Sequence, residues 1–260
     1  MKQTNNRQPT IRAIAPRKAN NNIEFTAYSD ESYSQAERFR SIGVFSFPSF
    51  QQKTIDKEIT ALLRDSSVAE FKWQNLKDAK HGFCAIKLID FVLHEIYEYN
   101  LRIDVMVWDT HDSRHAVPAR DDTANFERML FHLLRNSMKR REKLAAWRIR
   151  PDERMDIDWS TVAHCLRAVG RQQDFVESPL LGDFFTDPHY DVCEFREILS
   201  HEHPCCQVAD LFAGLSVFSR THFCKFAIWK DNRTPNLGLF DDHRLVLSKR
   251  EFSFPTVRPL

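Results

Sequence analysis

The stretch IEFTAYSDES, residues 23–32, predicts the first strand of a β-sheet and places two acids at its end. Ile23, Phe25 and Ala27 alternate with Glu, Thr and Tyr, which is the period of a strand with one buried face. Ligand sites in open α/β sheets tend to lie beyond strand ends. Asp30 is therefore a candidate site residue.

The rest of the chain interleaves strands with amphipathic helices, which favours an α/β sandwich with a mixed sheet. Strand patterns occur at residues 42–47, 101–109, 147–151 and 190–199, and helical spacing occurs at 55–63, 83–96, 126–134, 159–169 and 204–218. Strand 101–109 is apolar on nearly every residue, so we expect it to be buried on both faces. On helix 83–96 the expected buried stripe comprises Phe83, Ile86, Ile89, Leu93 and Ile96.

The composition is compatible with one main domain, because 42% of the 260 residues are hydrophobic. Residues 1–22 are polar and basic and are expected to form a flexible arm. The main domain is predicted over residues 23–230, followed by a C-terminal extension over 231–260.

Overall charge does not indicate nucleic-acid binding, since 37 Lys and Arg residues face 36 Asp and Glu residues. One local patch stands out at a predicted helix end, where Lys139 and Arg140 precede Arg141 and Lys143. These residues are candidates for substrate binding. The alternative is a solvated helix end that complements the helix dipole.

The six cysteines form no CxxC pair, and neither a secretory signal nor a membrane-spanning run is present. A reduced cytoplasmic protein with free thiols is expected. Cys205 and Cys206 lie close to His201 and His203, which raises the alternative of a zinc site. Their spacing matches no common structural zinc site, so buried thiols are preferred.

Acidic residues follow several of the predicted strands, as Asp109 and Asp152 do. Asp210 lies instead on a helix, beside its apolar stripe, where an uncompensated carboxylate would be costly to bury. Several carboxylates that face one another require a cation, and an all-oxygen donor set favours Mg²⁺ or Mn²⁺. Individually, each acid could be an ordinary turn, surface or capping residue.

Four motifs occur in the order typical of a known family: YSDES at 28–32, EFKW at 70–73, RPDER at 150–154 and QVADLFAG at 207–214. The chain resembles the family known as domain of unknown function 3800, which is regarded as a group of ribonuclease H-like nucleases. The resemblance implies a ribonuclease H-like fold with a mixed central β-sheet flanked by α-helices. One departure is Tyr33, where the family usually has glycine.

The resemblance also implies the site residues. Catalytic and metal-binding roles fall on four acids: Asp30, Glu70, Asp152 and Asp210. Glu31 would assist Asp30, and Lys72 would contact a phosphate as a point charge. Asp109 or Asp112 are alternatives to Asp152, and Arg114 and His115 either contact the substrate or belong to an exposed loop.

The leading hypothesis is a Mg²⁺- or Mn²⁺-dependent nuclease that hydrolyses phosphodiesters through a two-metal site. One alternative is an inactive ribonuclease H-like subunit that binds nucleic acid or assembles a complex, and another is a phosphatase for small esters. The expected ligand is DNA or RNA. Family resemblance suggests prokaryotic defence, with a homo-oligomer or a protein partner.

Overall fold

A five-stranded mixed sheet forms the centre of the molecule. The computed structural model describes residues 23–32, 38–113, 117, 120–141, 144–171, 175–176, 184–185 and 190–222. The strands of the sheet are β1 (Glu24–Ser32), β2 (Phe39–Pro48), β3 (Arg102–Asp109), β4 (Ala145–Pro151) and β7 (Tyr190–Phe195). They lie in the order β3-β2-β1-β4-β7. A separate short hairpin pairs β5 (Phe175–Val176) with β6 (Phe184–Phe185). The predicted arm, residues 1–22, and the predicted extension, residues 231–260, lie outside the described residues.

Strand directions make the sheet mixed. β2 runs antiparallel to both β1 and β3, whereas β4 runs parallel to β1 and β7 runs parallel to β4. The carboxyl ends of β1, β3, β4 and β7 therefore lie at the same edge of the sheet. We call this the carboxyl edge.

Five α-helices cover the two faces of the sheet: α1 (Gln52–Asp65), α2 (Ala79–Glu95), α3 (Asp122–Lys139), α4 (Trp159–Arg171) and α5 (Pro204–Thr221). One apolar cluster joins the sheet to α3 and α4, and a second joins its other face to α1, α2 and α5. This arrangement confirms the predicted α/β architecture, a mixed central β-sheet flanked by α-helices. Among the described helices, none is both long enough and apolar enough to span a bilayer.

The helix starts follow local sequence signals. Asp78, Asp121 and Asp158 each accept a backbone N–H three residues later, which satisfies a free donor of the first turn. Pro204 occupies the first turn of α5, where its missing N–H costs no helical hydrogen bond.

Two burial predictions are wrong. Strand β3 lies at the edge of the sheet and is only partly covered, so its apolar run does not reflect burial on both faces. On α2 the buried residues are Cys84, Ala85, Leu88 and Val92, while Phe83 is 64% exposed and Ile86 is 39% exposed. Helix α2 is apolar around much of its circumference, so periodicity alone could not select the buried face.

Candidate metal centre

Asp30 and Asp152 lie next to each other at the carboxyl edge. Ser29 of β1 is in register with Pro151 of β4, and each acid follows one residue later. The Asp152 N–H donates to the Ser29 carbonyl oxygen at 2.9 Å, which extends the parallel pairing to the acids. Parallel pairing of β1 and β4 thus unites two residues that are far apart in sequence.

Helix α5 brings Asp210 to the same edge because small residues allow it to approach the sheet closely. A β-carbon at Gly43 of β2 would lie 2.4 Å from the carbonyl oxygen of Ala209, so only glycine fits there. The Ser41 hydroxyl donates to the Ala213 carbonyl at 2.7 Å and ties the next turn of the helix to β2. Asp30 and Asp210 are each only 7% exposed.

The segment that carries Glu70 and Lys72 is clamped to α5 through alternate backbone amides. Gln207 accepts the Phe71 N–H at 2.7 Å, and Asp210, one turn later on α5, accepts the Trp73 N–H at 2.6 Å. Residue 72 is extended, with φ −133° and ψ 132°. Because side chains two residues apart in an extended segment point to the same side, Glu70 and Lys72 lie on one side of it.

The Lys72 ammonium lies among the carboxylates. Its Nζ is 3.6 Å from Glu70 Oε1 and 3.6 Å from Asp152 Oδ2, and it donates to Ser200 Oγ at 2.5 Å. Ser200 also connects the two acids, since its hydroxyl donates to Glu70 Oε1 at 3.1 Å and its N–H donates to Asp152 Oδ1 at 3.0 Å. Three parts of the chain therefore meet around one ammonium group: the segment 70–72, the end of β4 and the turn at Ser200.

Burial and mutual repulsion dominate the electrostatics of the site. Burial, followed by the charge of Asp210 and those of Glu31 and Asp152, raises the pKa of Asp30 well above its ordinary value. Burial also raises the pKa of Asp210 to about 6, against the lowering effects of the Trp73 N–H and of Lys72. These carboxylates are thus held in a setting where additional positive charge is favourable.

The chemistry of the donor set fits a hard divalent ion, because carboxylate oxygens are the ligands that Mg²⁺ and Mn²⁺ prefer. In this conformation, however, the described side chains do not form a metal-coordination shell. Within the described ranges, no group of three or more His, Cys, Asp or Glu side chains is arranged so that it could hold a metal ion. The acids lie around the Lys72 ammonium instead, and would have to close in on a smaller ion.

Glu31 points to the opposite face of the sheet from Asp30, as alternation along β1 requires. Its Oε1 lies 3.2 Å from Arg154 Nη1. Burial raises the pKa of Glu31 to about 7, although Arg154 lowers it, and the charge of Asp152 adds to the rise. Its predicted role beside Asp30 is therefore electrostatic rather than a shared contact in this conformation.

Asp109 and Asp112, the predicted alternatives to Asp152, do not lie with the other acids of the site. Asp109 ends the edge strand β3, which β2 separates from β1. Its carboxylate makes a bidentate pair with Arg38, and the bonds from Arg38 lower its pKa. Asp112 follows in the same turn, where its N–H donates to the Asp109 carbonyl oxygen. Of the three candidates, Asp152 is the one that lies beside the end of β1 and Lys72.

The predicted substrate-binding patch also lies elsewhere. Helix α3 packs on the face opposite α5, and Arg40, close to the carboxyl edge, pairs with Asp122 in its first turn. Eighteen helical residues extend about 27 Å, so Lys139 and Arg140 lie at the far end of α3. Arg140 pairs there with Asp104 at 3.1 Å. Tyr33, Arg114, His115 and Lys143 lie outside the described residues.

The cysteines near the site are buried thiols, as preferred from the sequence. Cys205 Sγ donates to Asp56 Oδ1 at 3.1 Å, and burial raises the pKa of both Cys205 and Cys206 well above the ordinary value. Cys206 Sγ lies 4.0 Å from Asp30 Oδ2. Among the described residues, Cys205, Cys206 and the nearby histidines form no group of three or more side chains that could hold a metal ion.

Sequence reasoning missed two residues of the site, Ser200 and Gln207. Gln207 belongs to the QVAD motif, and its amide donates to the Ser200 carbonyl at 3.2 Å while its oxygen holds the Phe71 N–H. Its position three residues before Asp210 on one helix face was the available signal. Ser200 carries no such signal, because it is a single serine between a strand and a helix.

Comparisons with known proteins give relatives rather than an activity. No family model matches the chain. Uncharacterized protein ORF2' of Methanothermobacter thermautotrophicus is 30% identical over 236 residues, covering 87% of this chain and 78% of the relative. Uncharacterized protein ORF2 of the same organism is 29% identical over 235 residues, with the same coverages of 87% and 78%.

Among solved structures, a chain from the structure of the PCNA:RNase HII complex from Archaeoglobus fulgidus aligns with 88% of this chain and 86% of its own length. Its TM-score is 0.45 and its sequence identity is 11%. The sequence identity to the ORF2' protein, 30%, is higher than the 11% identity to that solved chain. On that relationship, the chain belongs to the family of the ORF2' protein of Methanothermobacter thermautotrophicus.

Proposed function

We propose that the protein is a metal-dependent nuclease that hydrolyses phosphodiester bonds of nucleic acids at the carboxyl edge. The observation that supports this most strongly is the convergence of Asp30, Asp152, Asp210 and Glu70 around one cationic position. These acids come from two parallel strands, one helix and one extended segment. Buried carboxylates oppose folding unless cations compensate them, and the single charge of Lys72 leaves the pKa of Asp210 raised to about 6.

The roles of the residues follow from their positions. Asp30 and Asp210 are the most buried of the four acids and would hold Mg²⁺ or Mn²⁺ at the sheet, while Asp152 and Glu70, which are more exposed, would complete the ligand set. When bound, such ions activate water and stabilise the leaving oxygen of a phosphodiester. Gln207 and Ser200 keep Glu70 and Asp152 oriented, and Lys72 is positioned to meet a phosphate.

A nuclease assay with matched variants tests the proposal. Single-stranded, duplex and hybrid DNA and RNA oligonucleotides are incubated with Mg²⁺ or Mn²⁺ and with the wild type, Asp30→Asn or Asp210→Asn. We expect cleavage by the wild type and a loss of at least about 100-fold in each variant, as for other groups that stabilise a transition state directly. Asp109→Asn is the control, because that acid lies outside the site.

Equal residual cleavage by the wild type and both variants on every substrate would contradict the nuclease. An inactive subunit with the same fold is the second candidate, and it is favoured by the ion pairs that already compensate Glu70 and Asp152. That candidate predicts nucleic-acid binding that weakens steeply with salt and yields no metal-dependent product. Binding and cleavage measured on the same oligonucleotides distinguish the two.

A further inference from the structure

Lys72 is the feature of the site that metal chemistry alone does not explain. Burial lowers its pKa, but the charges of Asp30, Asp152, Asp210 and Glu70 outweigh burial and raise the pKa overall. All four acids assigned to the metal thus act on the same ammonium group. Two of them, Glu70 and Asp152, lie 3.6 Å from Nζ.

The backbone on both sides of Lys72 is held by hydrogen bonds, whereas its side chain is partly exposed. The amides on either side of it, Phe71 N–H and Trp73 N–H, are held by Gln207 and Asp210 of α5. Its side chain is 26% exposed, so the ammonium has a path to solvent. Lysine carries its charge on a flexible four-carbon stem, which allows such a movement without a change in the backbone.

An ammonium ion and a divalent ion cannot share this position. Two unit charges 4 Å apart repel by about 4 kcal/mol at an effective dielectric constant near 20, and a doubly charged ion repels more strongly. Mg²⁺ also requires oxygen ligands at about 2.1 Å, far closer than an ammonium needs. The absence of a metal-binding arrangement among the described side chains is consistent with acids spaced for an ammonium.

We propose that Lys72 is a built-in counter-cation that holds the acid cluster together until a divalent ion enters and displaces its ammonium from Glu70 and Asp152. This inference rests on the proposed function, since it takes the four acids to be the metal ligands. It assigns Lys72 a positioning role in the metal-free protein. Displacement then leaves the ammonium beside the site, where it can meet an anionic substrate.

The test compares Lys72→Met, which keeps the length of the side chain and removes its charge, with Lys77→Met. Lys77 lies in the same segment and is exposed. Two quantities are measured for each protein: the melting temperature in chelator, and the Kd for Mn²⁺ by titration calorimetry or by electron paramagnetic resonance of free Mn²⁺. We expect Lys72→Met to melt lower than the wild type in chelator and to bind Mn²⁺ at least about tenfold more tightly, which corresponds to about 1.4 kcal/mol. Lys77→Met should match the wild type in both.

The outcomes separate this inference from the proposed function. Mn²⁺ binding by Lys72→Met that equals or is weaker than wild-type binding overturns the counter-cation while leaving the metal site in place. No Mn²⁺ binding by either protein overturns both. If Lys72→Met does not fold, Lys72→Arg decides, because it retains the charge: Mn²⁺ affinity within about threefold of the wild type supports the inference, and a tenfold gain overturns it.

Discussion

At the scale of single residues, the site is defined by carboxylates that are buried in the fold, although burial of a charged carboxylate costs free energy. Asp30 and Asp210 are both buried, and the charge of Asp210 raises the pKa of Asp30. The Trp73 N–H and the Lys72 ammonium offset only part of that cost at Asp210. Because the pKa of such a residue differs between the folded and unfolded states, the free energy of unfolding depends on pH.

The first prediction concerns that pH dependence in metal-free protein. The pKa of Asp210 is raised from 3.8 to about 6 in the folded state, so between about pH 4 and pH 6 the folded protein retains a proton that the unfolded chain has lost. The free energy of unfolding should therefore fall as pH rises through this window, by on the order of 3 kcal/mol. Asp210→Asn keeps an acceptor for the Trp73 N–H and should lack this fall.

Urea denaturation at a series of pH values in chelator measures the effect. The informative quantity is the wild-type stability minus that of Asp210→Asn, which cancels the titrating groups that do not interact with Asp210. A difference that rises with pH across the window would show that Asp210 is stabilised in its charged form, contrary to the buried, repelled carboxylate described here.

A second residue-scale prediction concerns Gln207, which is buried and binds both the Phe71 N–H and the Ser200 carbonyl. Gln207→Met keeps the size of the side chain and leaves both groups without this partner. We expect a loss of about 1 to 3 kcal/mol in the free energy of unfolding. The exposed Gln74 provides the control, since Gln74→Met should change stability by less than about 0.5 kcal/mol. Equal effects of the two substitutions would refute the clamp.

At the scale of elements, the position of Asp210 depends on how closely α5 approaches the sheet. Gly43 admits the Ala209 carbonyl, and Gly214 admits the ring of Trp73, which a β-carbon there would meet at 2.1 Å. The motif QVADLFAG thus combines two acceptors for the 71–73 amides with the small residues that set the depth of the helix. This one motif therefore contains both the residues that pack α5 against its neighbours and an acid of the site.

The third prediction is that Gly43→Ala damages the site through this packing. The new β-carbon would lie 2.4 Å from a backbone oxygen that cannot move aside alone, so α5 must shift away from β2. We expect a loss of stability of about 1 to 3 kcal/mol, typical of overpacking, and a loss of metal-dependent activity. Gly82→Ala on α2 is the matched control, because nothing lies within 4 Å of its added carbon. There the substitution should stabilise the protein by about 0.5 to 1 kcal/mol. A Gly43→Ala protein as stable and active as the wild type would be inconsistent with this packing.

The same elements show what sequence could and could not predict. β1 and α5 were predictable because alternation and helical spacing are local signals, and the acids that they carry could be named from motifs. The edge position of β3 was not predictable, because an apolar sequence does not determine whether a strand pairs with one neighbouring strand or with two. The role of Ser200 arises only when Asp152 forms a bridge with Ile198 and draws the following turn to it.

At the scale of the whole molecule, two apolar cores on opposite faces stabilise one sheet, and the sheet presents its acids at one edge. The formal charge of +1 gives no general attraction to nucleic acid, so substrate affinity must come from local contacts and bound ions. Metal binding should therefore influence the stability of the entire fold, because the acids belong to β1, β4, α5 and the segment clamped to α5.

The fourth prediction follows from that connection. At a Mn²⁺ concentration 100 times the Kd, binding to the folded state adds about 2.7 kcal/mol to its stability. For a protein of this size the melting temperature should rise by about 5 to 10 °C. The double variant Asp30→Asn, Asp210→Asn should show no comparable rise in scanning fluorimetry. A rise of the same size in both proteins would place the bound ions elsewhere.

The most direct measurement is a crystal structure of the wild-type protein grown with Mn²⁺, in which anomalous scattering locates the ions. The structure described here predicts at least one ion within about 2.2 Å of carboxylate oxygens of both Asp30 and Asp210, with Asp152 in its coordination shell and the Lys72 ammonium moved away from Glu70. Bound Mn²⁺ that contacts neither Asp30 nor Asp210 would contradict a metal centre at the carboxyl edge.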